Sequence, residues 1–226
     1  MSLPAAPRGT VGIRAVIFDL DGTLIDSMPL VLRAFAHALA PFRPDLDENA
    51  IFLRLGGPPA RTFLELTGDS EKTAEALRRY DTFGFENGAL VDPFAGMRAF
   101  LEELRARGVK LAVWTGRDRH STEAIFTAHD LDGFFSAVVC GDDLDTHKPH
   151  PGGLLEILAR LSLRPDEALY AGDADADVLG GAEAGVRTVL ITHGREVDTA
   201  IRLRAWQVVD KPEQAYLLLG ATMFNN

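Results

Sequence analysis

The chain has 226 residues, a length that suits one large domain or two small ones. Its hydrophobic content of 46% and charged content of 25% are those of ordinary globular proteins, and no apolar run is long enough for a membrane span. The net charge of −10 argues against a nucleic-acid-binding surface, which needs a basic face. The single cysteine, Cys140, excludes an internal disulfide, and the first ten residues lack a signal peptide's apolar region, so we expect a cytoplasmic protein.

The first strong pattern is a buried strand followed by clustered acids. Ala15–Phe18 is a continuous apolar run, typical of a strand covered on both faces. Asp19 and Asp21 follow it directly, and Gly22 then allows a tight turn. Open α/β sheets bind their ligands at the carboxyl ends of strands, so this loop is a candidate site for a nucleophile, an acid–base pair or a cation.

The next segment, residues 26–91, shows helical periodicity and no convincing strand. One helix face carries apolar residues spaced three or four apart, from Leu32 to Leu39, and Pro41 and Pro44 end that helix. Further helices are predicted near residues 48–55, 60–66 and 71–83. Because the pattern of strands alternating with helices resumes near Asp92, we interpret this segment as a helical module inserted after the first strand.

From residue 92 onward, strands alternate with helices. The pattern predicts strands over 111–114, 137–140, 169–171, 188–191 and 206–209, with helices between them. Such alternation is typical of an α/β fold built on a mainly parallel sheet, with helices on both faces.

Four stretches of this sequence, taken together, resemble the haloacid dehalogenase-like (HAD) hydrolase superfamily. Residues 19–27, Asp-Leu-Asp-Gly-Thr-Leu-Ile-Asp-Ser, are similar to its signature loop. Thr115 after a strand, Lys148 in a Lys-Pro-His-Pro loop, and Gly172-Asp173 with Asp177 follow in the family's order. The resemblance implies a Rossmann-like core, residues 1–25 and 92–226, and an inserted all-helical cap, residues 26–91.

The resemblance also implies roles for the two aspartates of the first loop. Asp19 would be the nucleophile that attacks phosphorus and forms an aspartyl-phosphate, which water then hydrolyses. Asp21 would be the general acid and base, and its backbone carbonyl would bind the metal. An acid in the position of Asp21 fits a phosphate ester, because the alkoxide leaving group needs a proton.

Phosphate binding would fall to the second and third stretches. By resemblance, Thr115 donates its hydroxyl to a phosphate oxygen, and Gly116 and Arg117 add backbone N–H donors. The Arg117 side chain could reach the substrate or could equally lie in solvent. Lys148 would be the fixed cation beside the nucleophile and the transferring phosphoryl group.

A metal site completes the resemblance. Asp173 would join Asp19 and the Asp21 carbonyl around Mg²⁺, which prefers hard oxygen ligands. Asp177 follows one helical turn later, and the resemblance makes it either a ligand of the metal or the partner that orients Lys148. Acids at a helix N-terminus are also favoured by the helix dipole, and both explanations can hold.

The leading hypothesis is a Mg²⁺-dependent phosphatase of a small phosphorylated metabolite, similar to phosphoglycolate and sugar phosphatases. A phosphoglucomutase-like isomerase is less favoured, because the cap histidine that this branch carries falls on Val31 here and His37 comes later. The non-enzyme alternative is a pseudo-enzyme that binds a phosphorylated ligand, although Asp21 and Lys148 are both retained. We expect neither nucleic acid nor membrane as a partner, and a monomer and a homodimer both fit.

Substrate specificity is expected to lie in the cap. The Gly-rich turn of residues 56–61 is the best candidate for a loop that faces the site, because a similar turn occupies that place in the family. Arg54 and Arg61 could recognise an anionic substrate group, although solvated helix charges explain them equally simply. Phe63 and Phe83 are interpreted as core residues of the cap.

Overall fold

A computed structural model describes residues 12–55 and 59–224. The strands within these residues are β1 Ala15–Phe18, β2 Ile25–Asp26, β3 Asp92–Pro93, β4 Lys110–Trp114, β5 Ala137–Val139, β6 Ala168–Gly172, β7 Arg187–Ile191 and β8 Gln207–Val209. The helices are α1 Met28–Leu39, α2 Glu48–Phe52, α3 Pro59–Thr67, α4 Ser70–Asn87, α5 Met97–Ala106, α6 Arg119–Ala128, α7 Gly152–Leu161, α8 Asp175–Ala184, α9 Thr199–Arg202 and α10 Pro212–Phe224. None of these helices combines the length and the apolar character required to cross a bilayer.

Six strands form one parallel sheet in the order β5-β4-β1-β6-β7-β8. The strand β1 lies inside it, pairing with β4 on one side and β6 on the other. The order reverses at β1, because the chain moves outward through β4 and β5 and then returns to β6. Ligands bind at this kind of switch point in open α/β sheets.

The two faces of the sheet carry separate apolar cores. Val16 and Phe18 point to the face covered by α5, α6 and α10, whereas Ala15 and Ile17 point to the face covered by α7 and α8. The period-two alternation of β1 supplies both cores, which explains why its sequence is apolar without interruption. The predicted α/β fold with helices on both faces is confirmed.

The inserted helices have an apolar cluster of their own. Phe35 of α1 stacks on Phe63 of α3 with ring centroids 4.6 Å apart, and Tyr80 of α4 packs edge-on against both rings. Ile51 of α2 and Leu66 of α3 are buried in the same cluster. The helices α1 to α4 therefore pack around an interior that is distinct from the two cores of the sheet.

A short antiparallel ladder joins the inserted helices to the sheet. The strand β2 leaves the first loop and β3 returns to the core, with Ile25 opposite Pro93 and Asp26 opposite Asp92. The sequence pattern did not predict this ladder, because two-residue strands have no detectable periodicity. Its effect is to bring both ends of the helical insertion to one point beside Asp21.

Candidate active site

The four sequence-predicted stretches meet at the carboxyl edge of the parallel sheet. Asp19 follows β1, Thr115 follows β4, and Asp173 follows β6. Since β1 pairs with both neighbours in parallel register, the residues that follow these three strands lie side by side. The peptide N–H of Asp19 donates to the Ala171 carbonyl over 2.8 Å, which fixes the loop to the end of β6.

Lys148 connects two buried carboxylates. Its Nζ lies 2.9 Å from Asp19 Oδ1 and 2.8 Å from Asp177 Oδ1. The hydroxyl of Tyr170 donates to the same Asp177 oxygen over 2.6 Å, and the Ala174 N–H donates to the other oxygen over 2.9 Å. The Asp177 side chain is fully buried. Ion pairs this close are weakly screened in a dry environment, so the two carboxylates hold the Lys148 ammonium group between them.

The aromatic rings of Trp114 and Tyr170 lie close to the Lys148 ammonium group. The Lys148 Nζ lies 4.9 Å from the Trp114 ring centroid and 5.7 Å from that of Tyr170. The Trp114 ring fits only because Gly153 and Gly180 lack side chains. A Cβ on Gly180 would lie 2.7 Å from the ring, and one on Gly153 would overlap the indole nitrogen.

Three carboxylates converge closely enough to share a cation. Asp19, Asp173 and Asp177 each bring one oxygen within 4.8 Å of the others. Within the described chain, no donor reaches the Asp21 carbonyl oxygen, which therefore remains free for a ligand. These are hard oxygen donors of the kind that Mg²⁺ binds. Both oxygens of Asp177 already accept hydrogen bonds, so its carboxylate is the least available of the three.

Gly22 gives Asp173 its space. Its φ of +67° lies in the left-handed region, and a Cβ there would overlap the Asp173 carboxylate. His193 fixes the same turn by donating from Nε2 to the Gly22 carbonyl over 2.7 Å. Arg195 donates to the Asp173 carbonyl over 2.9 Å. The backbone around the acid cluster is therefore fixed from the ends of β1, β6 and β7.

The charges of the cluster perturb one another strongly. Burial raises the pKa of Asp19 well above its usual value, Lys148 opposes that shift, and Asp177 and Asp173 add to it. Burial and the neighbouring Asp177 raise the pKa of Asp173 to about 6. Burial alone would lower the pKa of Lys148, but the charges of Asp19 and Asp177 outweigh it and raise the pKa. Buried carboxylates at this spacing therefore oppose one another's ionisation, and a bound cation would relieve that repulsion.

Asp21 has a different partner. Arg117 donates from Nε to Asp21 Oδ2 over 2.6 Å and from Nη2 to Oδ1 over 2.7 Å, and its side chain is 20% exposed. The Arg117 backbone N–H donates to Thr115 Oγ1 over 3.1 Å, so the side chain extends from the turn that carries the hydroxyl. Thr115 is buried and Gly116 is exposed. The arginine is thus an ion-pair partner rather than the solvated residue that the sequence also allowed.

A cavity of about 710 Å³ adjoins this ion pair. Asp21 and Arg117 border it on the sheet side, and α6 contributes His120 and Ser121. On the side of the inserted helices, the described lining residues include Leu30, Val31, Ala34, Tyr80, Asp81, Gly84, Phe85 and Glu86. The space between the insertion and the core therefore opens directly beside Asp21.

The cap residues singled out from the sequence lie elsewhere. Arg54 lies just after α2 and donates to the Ala50 carbonyl of that helix over 2.6 Å, and Arg61 pairs with Glu65 over 2.9 Å. Neither is among the described residues that line the cavity. Gly56, Gly57 and Pro58 of the proposed specificity loop fall outside the described residues. Phe63 is buried in the apolar cluster of α1 to α4, as expected. Phe83 is partly buried and packs against the apolar core of the sheet, so its assignment to the interior of the cap was wrong.

Several contributors escaped the sequence reasoning. Tyr170 reads as one more apolar strand residue, and only the structure reveals its hydroxyl on Asp177. His193 and Arg195 follow β7, and the position of a polar residue after a strand was the available signal. Tyr80 lines the cavity from α4. No local sequence pattern shows which residues of that helix face the core.

Comparison with known proteins identifies the family. The haloacid dehalogenase-like hydrolase family matches residues 16–191 of this chain, which includes every residue of the acid cluster. The chain belongs to this family and is a hydrolase. The family assignment drawn from the four motifs is confirmed.

Individual relatives agree in sequence and in fold. The pyrophosphatase PpaX of Bacillus cereus is 34% identical over 182 residues, which span 80% of this chain and 83% of the relative. The crystal structure of a HAD-superfamily hydrolase from Geobacter sulfurreducens is 25% identical, with a TM-score of 0.74 over 96% of this chain and all of that one. A predicted phosphoglycolate phosphatase from Haemophilus somnus has the same fold, with 24% identity and a TM-score of 0.76 over 92% of this chain and 98% of that one.

Proposed function

We propose that this chain is a Mg²⁺-dependent phosphatase that hydrolyses a small phosphorylated metabolite through an aspartyl-phosphate on Asp19. The observation that carries the proposal is the contact of 2.9 Å between Lys148 Nζ and Asp19 Oδ1 at the end of β1, with Asp21 two residues further on. A nucleophilic carboxylate beside a fixed cation can accept a dianionic phosphoryl group that it would otherwise repel.

The first step would form the covalent intermediate. A carboxylate oxygen of Asp19 attacks phosphorus, the bond from phosphorus to the leaving oxygen breaks, and the carboxyl proton of Asp21 passes to that oxygen. Thr115 donates its hydroxyl to a phosphoryl oxygen. Lys148 stays between Asp19 and Asp177, which we assign to positioning the lysine because both Asp177 oxygens are already engaged.

The second step would restore the enzyme. Water attacks phosphorus, Asp21 takes the proton of that water, and the bond from phosphorus to Asp19 breaks to release inorganic phosphate. Asp19, Asp173 and the Asp21 carbonyl are the residues that would hold Mg²⁺, which when bound neutralises charge on the phosphoryl oxygens. The Asp19 and Asp173 carboxylates fit the ion by donor type and by spacing, since each brings an oxygen within 4.8 Å of the other.

We assign residues 26–91 to a cap and residues 1–25 and 92–226 to the catalytic core. The separate apolar cluster of α1 to α4 and the single ladder that carries both connections support this division. A lid attached beside the nucleophile can exclude water without disturbing the sheet.

Two observations bear on the reaction type and on the substrate. Val31 lines the cavity where the mutase branch would carry its histidine, which favours hydrolysis over isomerisation. Inorganic pyrophosphate is a second candidate substrate, since the relative that is 34% identical is a pyrophosphatase.

The test is a phosphatase assay on metal-stripped protein with p-nitrophenyl phosphate, before and after addition of Mg²⁺. We expect turnover only with the metal, and we expect Asp19→Asn to abolish it, a loss of several kcal/mol in transition-state stabilisation, on the order of a thousandfold or more in rate. Asp166→Asn is the matched control, because Asp166 is 60% exposed and pairs with Arg164 at the surface. Full activity in Asp19→Asn would refute the nucleophile assignment.

A further inference from the structure

The ion pair between Arg117 and Asp21 obstructs the proposed chemistry. Each Asp21 oxygen accepts a hydrogen bond from the guanidinium, at 2.6 Å and 2.7 Å. In this fork both Asp21 oxygens are engaged by N–H donors, so the carboxyl group is not free to turn toward a leaving oxygen. The pair must therefore open before Asp21 can act as a general acid.

The remaining nitrogen of the arginine is available to a ligand. Among the hydrogen bonds of the described residues, none uses Arg117 Nη1. This atom is oriented toward Gly88 at the end of α4, where a Cβ would lie 3.9 Å from it. A guanidinium binds carboxylate and phosphate with the same planar fork, so it can exchange one anion for another with little loss of hydrogen bonding.

The lining of the cavity offers one guanidinium group that can bind an anion. Arg117 is the only lysine or arginine among the described residues that line it. Asp81, Glu86 and Asp118 line the same space and would repel an anion that lies away from the guanidinium. The apolar side chains of Leu30, Val31 and Ala34 in α1 complete the wall. A second anionic group of a substrate would thus be directed to Arg117.

We infer that Arg117 selects substrates whose leaving group carries its own anion, either a carboxylate or a second phosphate. This anion takes the guanidinium from Asp21, and the released carboxyl group then protonates the leaving oxygen. The inference rests on the proposed phosphatase function and adds to it a substrate class. A phosphate ester without the second anion leaves the pair closed and reacts slowly.

The test uses a matched pair of substrates. 2-Phosphoglycolate and 2-hydroxyethyl phosphate differ chiefly by a carboxylate in place of a hydroxymethyl group. We expect Arg117→Gln to lower the ratio of their kcat/KM values at least about tenfold. The loss on 2-phosphoglycolate should lie in KM, because Asp21 no longer has to be released. Arg117→Lys keeps the charge without the planar fork and should restore part of the ratio.

The outcomes separate the two proposals. Absence of wild-type turnover on any phosphate ester with Mg²⁺ would remove the phosphatase function itself. An active wild-type protein whose substrate ratio stays within about twofold in Arg117→Gln would overturn the role of Arg117 alone. Equal falls in kcat on both substrates would also overturn it, since they indicate a merely structural role. If the variant does not fold, equal kcat/KM values of the wild-type protein for the two substrates would be decisive against the inference.

Discussion

Asp19 and Asp21 stand two residues apart on one loop, yet their surroundings differ in almost every respect. Asp19 is 7% exposed and pairs with Lys148, which is itself held by Asp177 and Tyr170. Asp21 pairs with Arg117, whose side chain is 20% exposed and borders a cavity under the inserted helices.

This contrast separates two requirements of one reaction. In the proposed mechanism Asp19 is the nucleophile and must hold its geometry, and its cation Lys148 is surrounded by buried partners from β6 and α8. In the same mechanism Asp21 must release and accept a proton, and its partner Arg117 borders the cavity, where a ligand can displace it. The fold meets both requirements by ending β1 at the boundary between a dry core and an open cleft.

The largest expected effect comes from removing Lys148, the buried cation beside Asp19. We expect Lys148→Ala to lower kcat about a thousandfold, because the nucleophile and the incoming dianion then repel each other. In metal-free protein the free energy of unfolding should also fall by about 3 kcal/mol, since Asp19 and Asp177 lose their buried partner. Steady-state kinetics and urea denaturation measure the two effects.

The exposed Lys72 of α4 provides the control for this prediction. Lys72→Ala should leave kcat and the urea midpoint close to the wild-type values. If Lys148→Ala retained more than about a tenth of the wild-type kcat, the comparison between the two ends would lose its basis.

The next largest effect is expected from a change at Gly22, which leaves space for the Asp173 carboxylate, with Gly96 as the comparison. Gly22 and Gly96 both have left-handed φ angles, of +67° and +77°, but only a Cβ on Gly22 meets the Asp173 carboxylate. Each Gly→Ala change should cost about 1 kcal/mol of stability from the backbone alone. Gly22→Ala should in addition lower activity about a hundredfold and weaken Mg²⁺ binding, since it displaces Asp173.

Thermal unfolding and Mg²⁺ titration by calorimetry distinguish the two glycine variants. Equal activity losses in Gly22→Ala and Gly96→Ala would show that backbone strain, rather than the space for Asp173, is responsible.

The smallest expected effect is a pH dependence in metal-free protein. The pKa of Asp173 is raised to about 6, above its unfolded value, so the folded state binds the extra proton and stability is lost as pH rises through that range. Relative to Asp173→Asn, the wild-type protein should lose about 2 kcal/mol between about pH 4 and pH 7.5.

Urea denaturation in a chelating buffer measures this difference. Saturating Mg²⁺ should reverse it, because the ion favours the ionised carboxylate. If the stability difference between Asp173→Asn and wild-type protein did not change with pH, Asp173 would not belong to a cluster of mutually repelling acids.

The sequence was sufficient to predict the core and the positions of the acids. Buried parallel strands have continuous apolar runs, and motif residues directly after them must meet at one sheet edge, which is why Asp19, Thr115 and Asp173 could be assigned to a common site. The pairing of Arg117 with Asp21 could not be predicted, because it joins side chains that are 96 residues apart.

Predictions in the cap were less specific for a physical reason. Helical periodicity identifies the apolar face of each helix but not the residues that face another module across a cleft. Arg54 and Arg61 were singled out by charge alone, and in the structure each contacts a residue four positions away along the chain. The wall of the cavity instead contains Val31 and Tyr80, which a hydrophobic pattern cannot distinguish from core residues.

The most direct measurement of the central claim is mass spectrometry of the acid-quenched Asp21→Asn variant during turnover of p-nitrophenyl phosphate with Mg²⁺. The nitrophenolate leaving group needs no proton, so the intermediate still forms, whereas its hydrolysis lacks the base and slows. The account predicts one phosphoryl group on the peptide that contains Asp19, and none when Asp19→Asn is added. An unmodified peptide, or a phosphoryl group on another residue, would contradict it.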